Sequence, residues 1–344
     1  MNGCPAPGCR DRILAAWLFA VMGMVFVMVV LGGLTRLTHS GLSMVNWRPV
    51  SGWLPPLNAN EWQAAFTEYR KFPEYAKINQ GMTIGEFKSI FRLEFIHRLW
   101  GRTIGVAFAL PLVFFVFKGW IGRALAPRLL GLFILGGLQG GLGWYMVKSG
   151  LMERPDVSQY RLVAHFATAL AILGALLWVA LDLWGRANRG RGAGGNKGFS
   201  LIVFGMVALT AVSGGFVAGL DAGFSYNTFP LMNGNFIPQG IFPLAPLYLN
   251  FFEDVTTVQF THRILAESTF VLVMVFWFRA GAFVPVRGLP VNVLAAAALV
   301  QVGLGVSTLL LVVPVPLAAA HQAGAVVLFL AALWVVHGLW GGEN

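Results

Sequence analysis

Cysteine is nearly absent: the 344 residues hold two, Cys4 and Cys9, both ahead of the first apolar run. No disulfide framework can be built beyond that tail, and an isolated C-x4-C pair falls short of a four-ligand metal site. Charge is also scarce. Only 11% of residues are charged, where a soluble domain carries about a quarter. A water-facing globular fold is therefore excluded. Acid is the scarcer sign, 14 Asp and Glu against 24 Lys and Arg, which leaves a net charge of +10. Such an excess can mark a nucleic-acid partner, but here the basic residues sit in short loops between apolar runs. No nucleic acid is expected.

What is present is hydrophobic sequence, 57% of the chain. It falls into eight runs, roughly 13–34, 95–117, 128–147, 161–184, 199–220, 260–280, 289–313 and 316–340. Each is long enough to cross a hydrocarbon core of ~30 Å as a helix. The expected fold is an all-α polytopic membrane protein. The first run is too long for a signal-peptide core and lacks a small-residue cleavage site, so it is read as the first span. Loops after runs 2, 4 and 6 carry nine basic residues: Lys118, Arg123, Arg128, Arg186, Arg189, Arg191, Lys197, Arg279 and Arg287. Loops after runs 3, 5 and 7 carry three, Lys148, Arg154 and Arg161. The positive-inside rule then puts both termini in the cytoplasm, with Arg10 and Arg12 agreeing, and the long segment 35–94 outside. Segment 58–92 is polar and aromatic and expected to be helical in part. Segment 236–252 is uncharged and rich in Pro, Phe and Tyr, and is expected to lie along the bilayer interface with the membrane lipid.

The chain repeats itself. "LGGLTRLTHSGLSMVNW" ending run 1 parallels "SGGFVAGLDAGFSYNTF" ending run 5, and "LQGGLGWYM" in run 3 parallels "VQVGLGVST" in run 7. Runs 2 and 6 share F-x-H-R, and runs 4 and 8 share "VAHFATA" and "AAHQAGA". Four matches in the same order imply a duplicated, pseudo-symmetric four-helix bundle. The expected halves are 1–184 and 199–344, joined by a Gly/Arg-rich cytoplasmic linker at 185–198.

Of six histidines, four fall one to each even-numbered run: His97, His165, His262 and His321. All four runs travel from outside inward, and each histidine lies within about two turns of the outer end of its run, so the four share one depth. Ionisable groups inside a membrane are costly and mark function, and a repeated set of four is hard to explain as interfacial solvation. His39 and His337 have no repeat partner and are read as satisfied or solvated. Two histidines facing across a bundle can ligate a haem iron axially. Zinc competes, but two histidines without cysteine fall short of its usual four ligands. Gly101, Gly105, Gly140, Gly141, Gly143, Gly303 and Gly305 would make room for a flat macrocycle, or serve close helix packing. Arg98, Arg102 and Arg263 are candidates for pairing with haem propionates, or snorkel to the interface. Glu94 precedes His97 on the same helix face, whereas Gln259 holds that place before His262. A carboxylate there could move protons or stabilise positive charge, and an amide cannot do the former; its alternative role is a salt bridge to Arg98.

With E-F-I-H-R around His97 and one histidine in each even run, the whole chain resembles the haem A synthase family, membrane enzymes that convert haem o to haem a. The resemblance implies an oxidoreductase that turns one porphyrin methyl into a formyl group. It implies substrate haem o near His97 and His165, with Glu94 catalytic, and a haem b cofactor on His262 and His321. It also implies supply by haem o synthase and delivery towards haem-copper oxidase assembly, in a bacterial inner membrane with the haem sites on the periplasmic side; the electron donor is not specified. Some members carry a cysteine pair in an outer loop. This chain has none there, like the proteobacterial and mitochondrial branch. The competing classes are a di-haem b electron-transfer cytochrome and a haem carrier; the Glu94/Gln259 asymmetry favours an enzyme, since neither alternative needs unequal halves.

Overall fold

The computed structural model describes residues 7–46, 51–152, 157–185, 197–280 and 288–340. Cys4, Arg154, Arg287 and residues 186–196 of the expected linker, with Arg186, Arg189 and Arg191, lie outside the described residues. Eight helices among them are long and apolar enough to cross a membrane. They are α1 (Pro7–Leu37), α4 (Ile84–Phe117), α5 (Ala126–Met152), α6 (Gln159–Gly185), α7 (Lys197–Gly219), α9 (Val255–Arg279), α10 (Leu289–Leu310) and α11 (Val315–Trp340). Three shorter helices lie between them: α2 (Ala59–Tyr69), α3 (Pro73–Lys77) and α8 (Asn250–Glu253). The chain is thus an all-α multi-pass membrane protein. Backbone groups in lipid have no water to bond, which is why each apolar run closes its hydrogen bonds within one helix.

One boundary departs from expectation. Helix α4 starts at Ile84, not near residue 95. Thr83 and Glu86 form a reciprocal capping box at its N-terminus, satisfying two otherwise orphan donors. A helix of 34 residues is ~50 Å long at 1.5 Å per residue, well beyond a ~30 Å core. Its first three turns therefore stand outside the apolar layer. There they pack with α2 into a cluster of Trp62, Phe66, Tyr69, Phe87, Phe91 and Phe95. Tyr69 and Phe87 are fully buried in it. Burial pushes the Tyr69 phenol up, and Asn79 donates to its oxygen at 2.7 Å. His97 consequently lies more than three turns along its helix, unlike the other three histidines.

The chain divides into two compact units, Met24–Ala169 and Met1–Gly23 with Leu170–Asn344. In the first, α4 packs on α5, and Trp100 Nε1 donates to the Met24 carbonyl of α1 at 2.8 Å. In the second, α7, α9, α10 and α11 each pack against two neighbours in a closed ring. Val203 and Val207, Val273 and Phe276, Leu294 and Ala298, and Val326 and Ala332 are among the buried residues of those four helices. The C-terminal part of α6 belongs to this unit, approaching α11 at Gly174, where a methyl would lie 3.2 Å from Leu333 Cδ2. His337 is satisfied there: its Nε2 meets Asp182 Oδ1 at 3.0 Å, with the Trp178 ring edge-on. His39 is exposed, in the turn after α1. In the loop 236–252, Phe236, Ile237, Leu247 and Tyr248 are exposed, while Asn250 is fully buried and ties the main chain at Leu244 and Leu247.

Candidate functional site: two glycine-backed histidine pairs

Each of the four histidines lies against a glycine of another helix. A methyl on Gly32 of α1 would sit 3.3 Å from His97 Nε2, and one on Gly143 of α5 would sit 3.2 Å from His165 Cε1. In the second unit, the matching distances are 3.1 Å from Gly214 of α7 to His262 Cε1 and 2.9 Å from Gly305 of α10 to His321 Cε1. A methyl at such spacings would crowd each ring, most of all at Gly305, so these glycines let the helices approach closely. Gly143 and Gly305 thus seat histidines rather than make room for a ligand, and Gly101 meets Met28 Cε at 3.2 Å. Gly105, Gly140, Gly141 and Gly303 have nothing within 4 Å of the Cβ position and face open space.

The histidines come in pairs. His97 and His165 are near enough to interact electrostatically within one unit, as are His262 and His321 within the other. All four histidines are half-buried as residues. Two glutamines support the second histidine of each pair. Gln139 Nε2 donates to the His165 carbonyl at 3.0 Å, and Gln301 Nε2 donates to the His321 carbonyl at 3.0 Å. Gln301 also touches His321 Nδ1 at 3.1 Å, whereas Gln139 reaches the His165 ring only at 3.5 Å. Ser213 Oγ lies 2.7 Å from His262 Nδ1.

The residues flanking His97 and His262 are arranged alike in the two halves, apart from one charge. Arg98 Nη2 donates to the Met44 carbonyl at 2.8 Å and Nη1 to Asn46 at 3.4 Å. Arg263 Nη2 donates to the Tyr226 carbonyl at 2.6 Å and Nη1 to Thr228 at 2.8 Å. Both arginines therefore pin the turn that leaves the first helix of their half. Arg102 follows Arg98 one helical turn further along α4 and is half-buried. Glu94 is 2% exposed. Its Oε2 accepts from Ser43 Oγ at 2.6 Å and from the Met44 amide at 2.7 Å, and its Oε1 pairs with Arg98. Three donors compensate the burial of that charge. Gln259, 3% exposed, instead donates through Nε2 to the Tyr226 carbonyl at 3.1 Å.

This donor set fits a haem better than a bare ion. No three metal-ligating side chains come together among the described residues, so a tetrahedral zinc cage has too few ligands. Two imidazoles suffice when a macrocycle supplies the other four ligands. Buried polar atoms without a hydrogen-bond partner, His165 Nδ1, Gln259 Oε1 and Arg263 Nε, lie beside the pairs, ready for a polar ligand. The sequence readily yields the four histidines and Glu94. It does not yield the ring contacts of Ser213, Gln139 and Gln301, although the repeat alignment holds a visible trace: Ser213 stands where the first half has Leu31.

A multi-pass helical membrane protein with a histidine pair in each of two units is thereby defined. Residues 15–333 match the family described as cytochrome oxidase assembly protein. Heme A synthase of Nitrosospira multiformis is 53% identical over 338 residues, covering 96% of this chain and 94% of the relative. Heme A synthase of Paramagnetospirillum magneticum is 51% identical, covering 95% and 94%. Heme A synthase COX15 of Bos taurus is 46% identical, covering 96% and 82%. The chain belongs to the haem A synthase family.

Proposed function

We propose that this protein is a haem A synthase, an oxidoreductase that converts the haem o methyl to the formyl group of haem a for terminal oxidases. The observation that carries the reading is the duplicated, glycine-backed histidine pair whose two copies differ by the charge of Glu94 against Gln259. A wire or a carrier has no use for that inequality. In this reading residues 1–184 form the substrate half and 199–344 the cofactor half, as pseudo-symmetric bundles. His97 and His165 hold the iron of haem o, and His262 and His321 hold haem b. Haem supplies iron redox chemistry when bound. The protein supplies position and charge: glycines fix the helix spacing, the histidines fix the macrocycle, and Glu94 places a carboxylate beside the substrate pair. There it stabilises positive charge developing at the methyl carbon or takes up its proton. In this reading Arg98, Arg102 and Arg263 are the cations that would meet haem propionates. The protein lies in a bacterial inner membrane with both termini cytoplasmic and its haem sites periplasmic, receiving haem o from haem o synthase and serving haem-copper oxidase assembly.

Extraction of haems from the purified protein, separated by chromatography, tests this. Haem o or haem a alongside haem b is expected; haem b alone at two per chain would identify a cytochrome instead. His262→Met and His321→Met test the cofactor assignment and are each expected to reduce the b-type spectrum. A full haem b signal in both would overturn it.

A further inference from the structure

The first histidines of the two pairs, His97 in one and His262 in the other, differ in how their rings are held. Ser213 Oγ donates its single proton to the Thr210 carbonyl at 2.8 Å. Its 2.7 Å contact with His262 Nδ1 must then run from Nδ1–H to the serine oxygen. With the proton fixed on Nδ1, the neutral imidazole carries its lone pair on Nε2, the form required of a metal ligand. The serine belongs to a polar seam between α7 and α9. Thr210 Oγ1 and Thr269 Oγ1 lie 2.7 Å apart, and Thr210 Oγ1 also donates to the Met206 carbonyl at 2.8 Å.

In the first half this seam is apolar. By the paired glycines and the histidines, Thr210, Ser213 and Thr269 correspond to Met28, Leu31 and Ile104. Met28 packs on Gly101 instead of bonding across the helices. No hydrogen bond to the His97 ring occurs among the described residues, and its Nε2 turns toward Gly32, with a built methyl there at 3.3 Å. One histidine is preset as a ligand by a hydroxyl; the other, among the described residues, is held by packing.

We propose that Ser213 makes His262 a permanent haem ligand, while Leu31 at the matching position leaves His97 an exchangeable one, so that residues 213 and 31 decide which haem stays and which leaves. This rests on the assignment of haem b to the C-terminal half and gives it a physical basis. A resident cofactor calls for a ligand whose tautomer and orientation are paid for in advance. A substrate that must depart as product calls for one that is not.

The test compares haem release from the purified, haem-loaded protein to excess apomyoglobin, each haem followed by absorbance and chromatography. Ser213→Ala is expected to speed haem b release about 10- to 100-fold, the size of losses when an outer-shell partner of a metal ligand is removed. It should also shift the midpoint potential of that haem, which a purely structural serine would not do. Ser213→Thr retains a hydroxyl and should restore both values. Leu31→Ser should slow release of the other haem. Unchanged release and potential in Ser213→Ala overturn the proposal; if that variant does not accumulate, unchanged release in Leu31→Ser overturns it. Should haem b be lost in His97→Met and kept in His262→Met, the assignment of the halves fails. Haem b loss in His262→Met beside an unaffected Ser213→Ala sinks the serine proposal alone.

Discussion

A glutamine already performs in one half the holding task that Glu94 performs in the other. Gln259 and Arg263 both bond the Tyr226 carbonyl, just as Arg98 bonds Met44 beside Glu94. Removing one partner of a buried ion pair is ordinarily costly, about 3–5 kcal/mol. Here Arg98 keeps its bonds to the Met44 and Asn46 carbonyls, and the second half demonstrates a folded arrangement without the carboxylate. Glu94→Gln is therefore expected to insert normally and keep its haem b while accumulating haem o or a partly oxidised haem. The turnover loss should be ~10²–10⁴-fold, typical of a lost acid–base or charge-stabilising group. Haem a made at the unmodified rate would leave Glu94 as the structural partner of Arg98 and Ser43. A second variant examines the seat of a ligand. In Gly305→Ala the methyl would lie 2.9 Å from His321 Cε1, and the ring cannot give without leaving Gln301. A weakened b-type spectrum in a protein that still inserts is expected; an intact spectrum would show that the ring accommodates the methyl. The four histidines and Glu94 were legible in the sequence because duplication displays each of them against a counterpart. Ser213 and the two glutamines were not, because a side chain's hydrogen-bond partner depends on which helix faces which, and helical spacing alone does not supply that.

Elements show the same division between what hydropathy reveals and what it hides. All eight spanning helices were visible as apolar runs, since the membrane imposes length and composition together. The outward extension of α4 was not, because its first three turns mix Phe87 and Phe91 with Lys88 and Arg92 and so carry no continuous apolar signal. Their helicity comes from the capping box and from the aromatic cluster with α2. Two variants separate these contributions. Thr83→Ala removes the cap and should cost ~1 kcal/mol, seen as faster hydrogen exchange confined to the first turn of α4. Phe87→Ala empties a fully buried position and should cost ~3–5 kcal/mol. The outer segment, 59–95, should then become sensitive to limited proteolysis while the b-type spectrum of the other half persists. Protection of that segment in Phe87→Ala would mean that the cluster does not hold it together.

At the scale of the molecule the prediction concerns which side of the membrane the histidine pairs occupy. The bias of nine basic residues to three in short loops predicts that the outer segment 58–92 and the loop 236–252 share the periplasmic side. Single cysteines read this out through an impermeant thiol reagent, and the structure decides where to put them. Asn79 is a poor site, since it donates to the buried Tyr69 hydroxyl; Gln80 beside it is exposed and free of that task. Asn235 is exposed in the turn closed by Met232. The chain's own thiols supply the opposite control, because Cys9 is exposed at the start of α1. With Cys4 and Cys9 replaced by serine, Gln80→Cys and Asn235→Cys should each label in intact cells. The unmodified chain, carrying Cys9, should label only after lysis. Labelling in the reverse order would turn the molecule over, placing both histidine pairs at the cytoplasmic face and making a cytoplasmic reductant their natural electron source. Labelling of one introduced cysteine but not the other would break the parallel relation of the two halves. With an even number of spans in each half, that relation is what sets His97 and His262 to the same side.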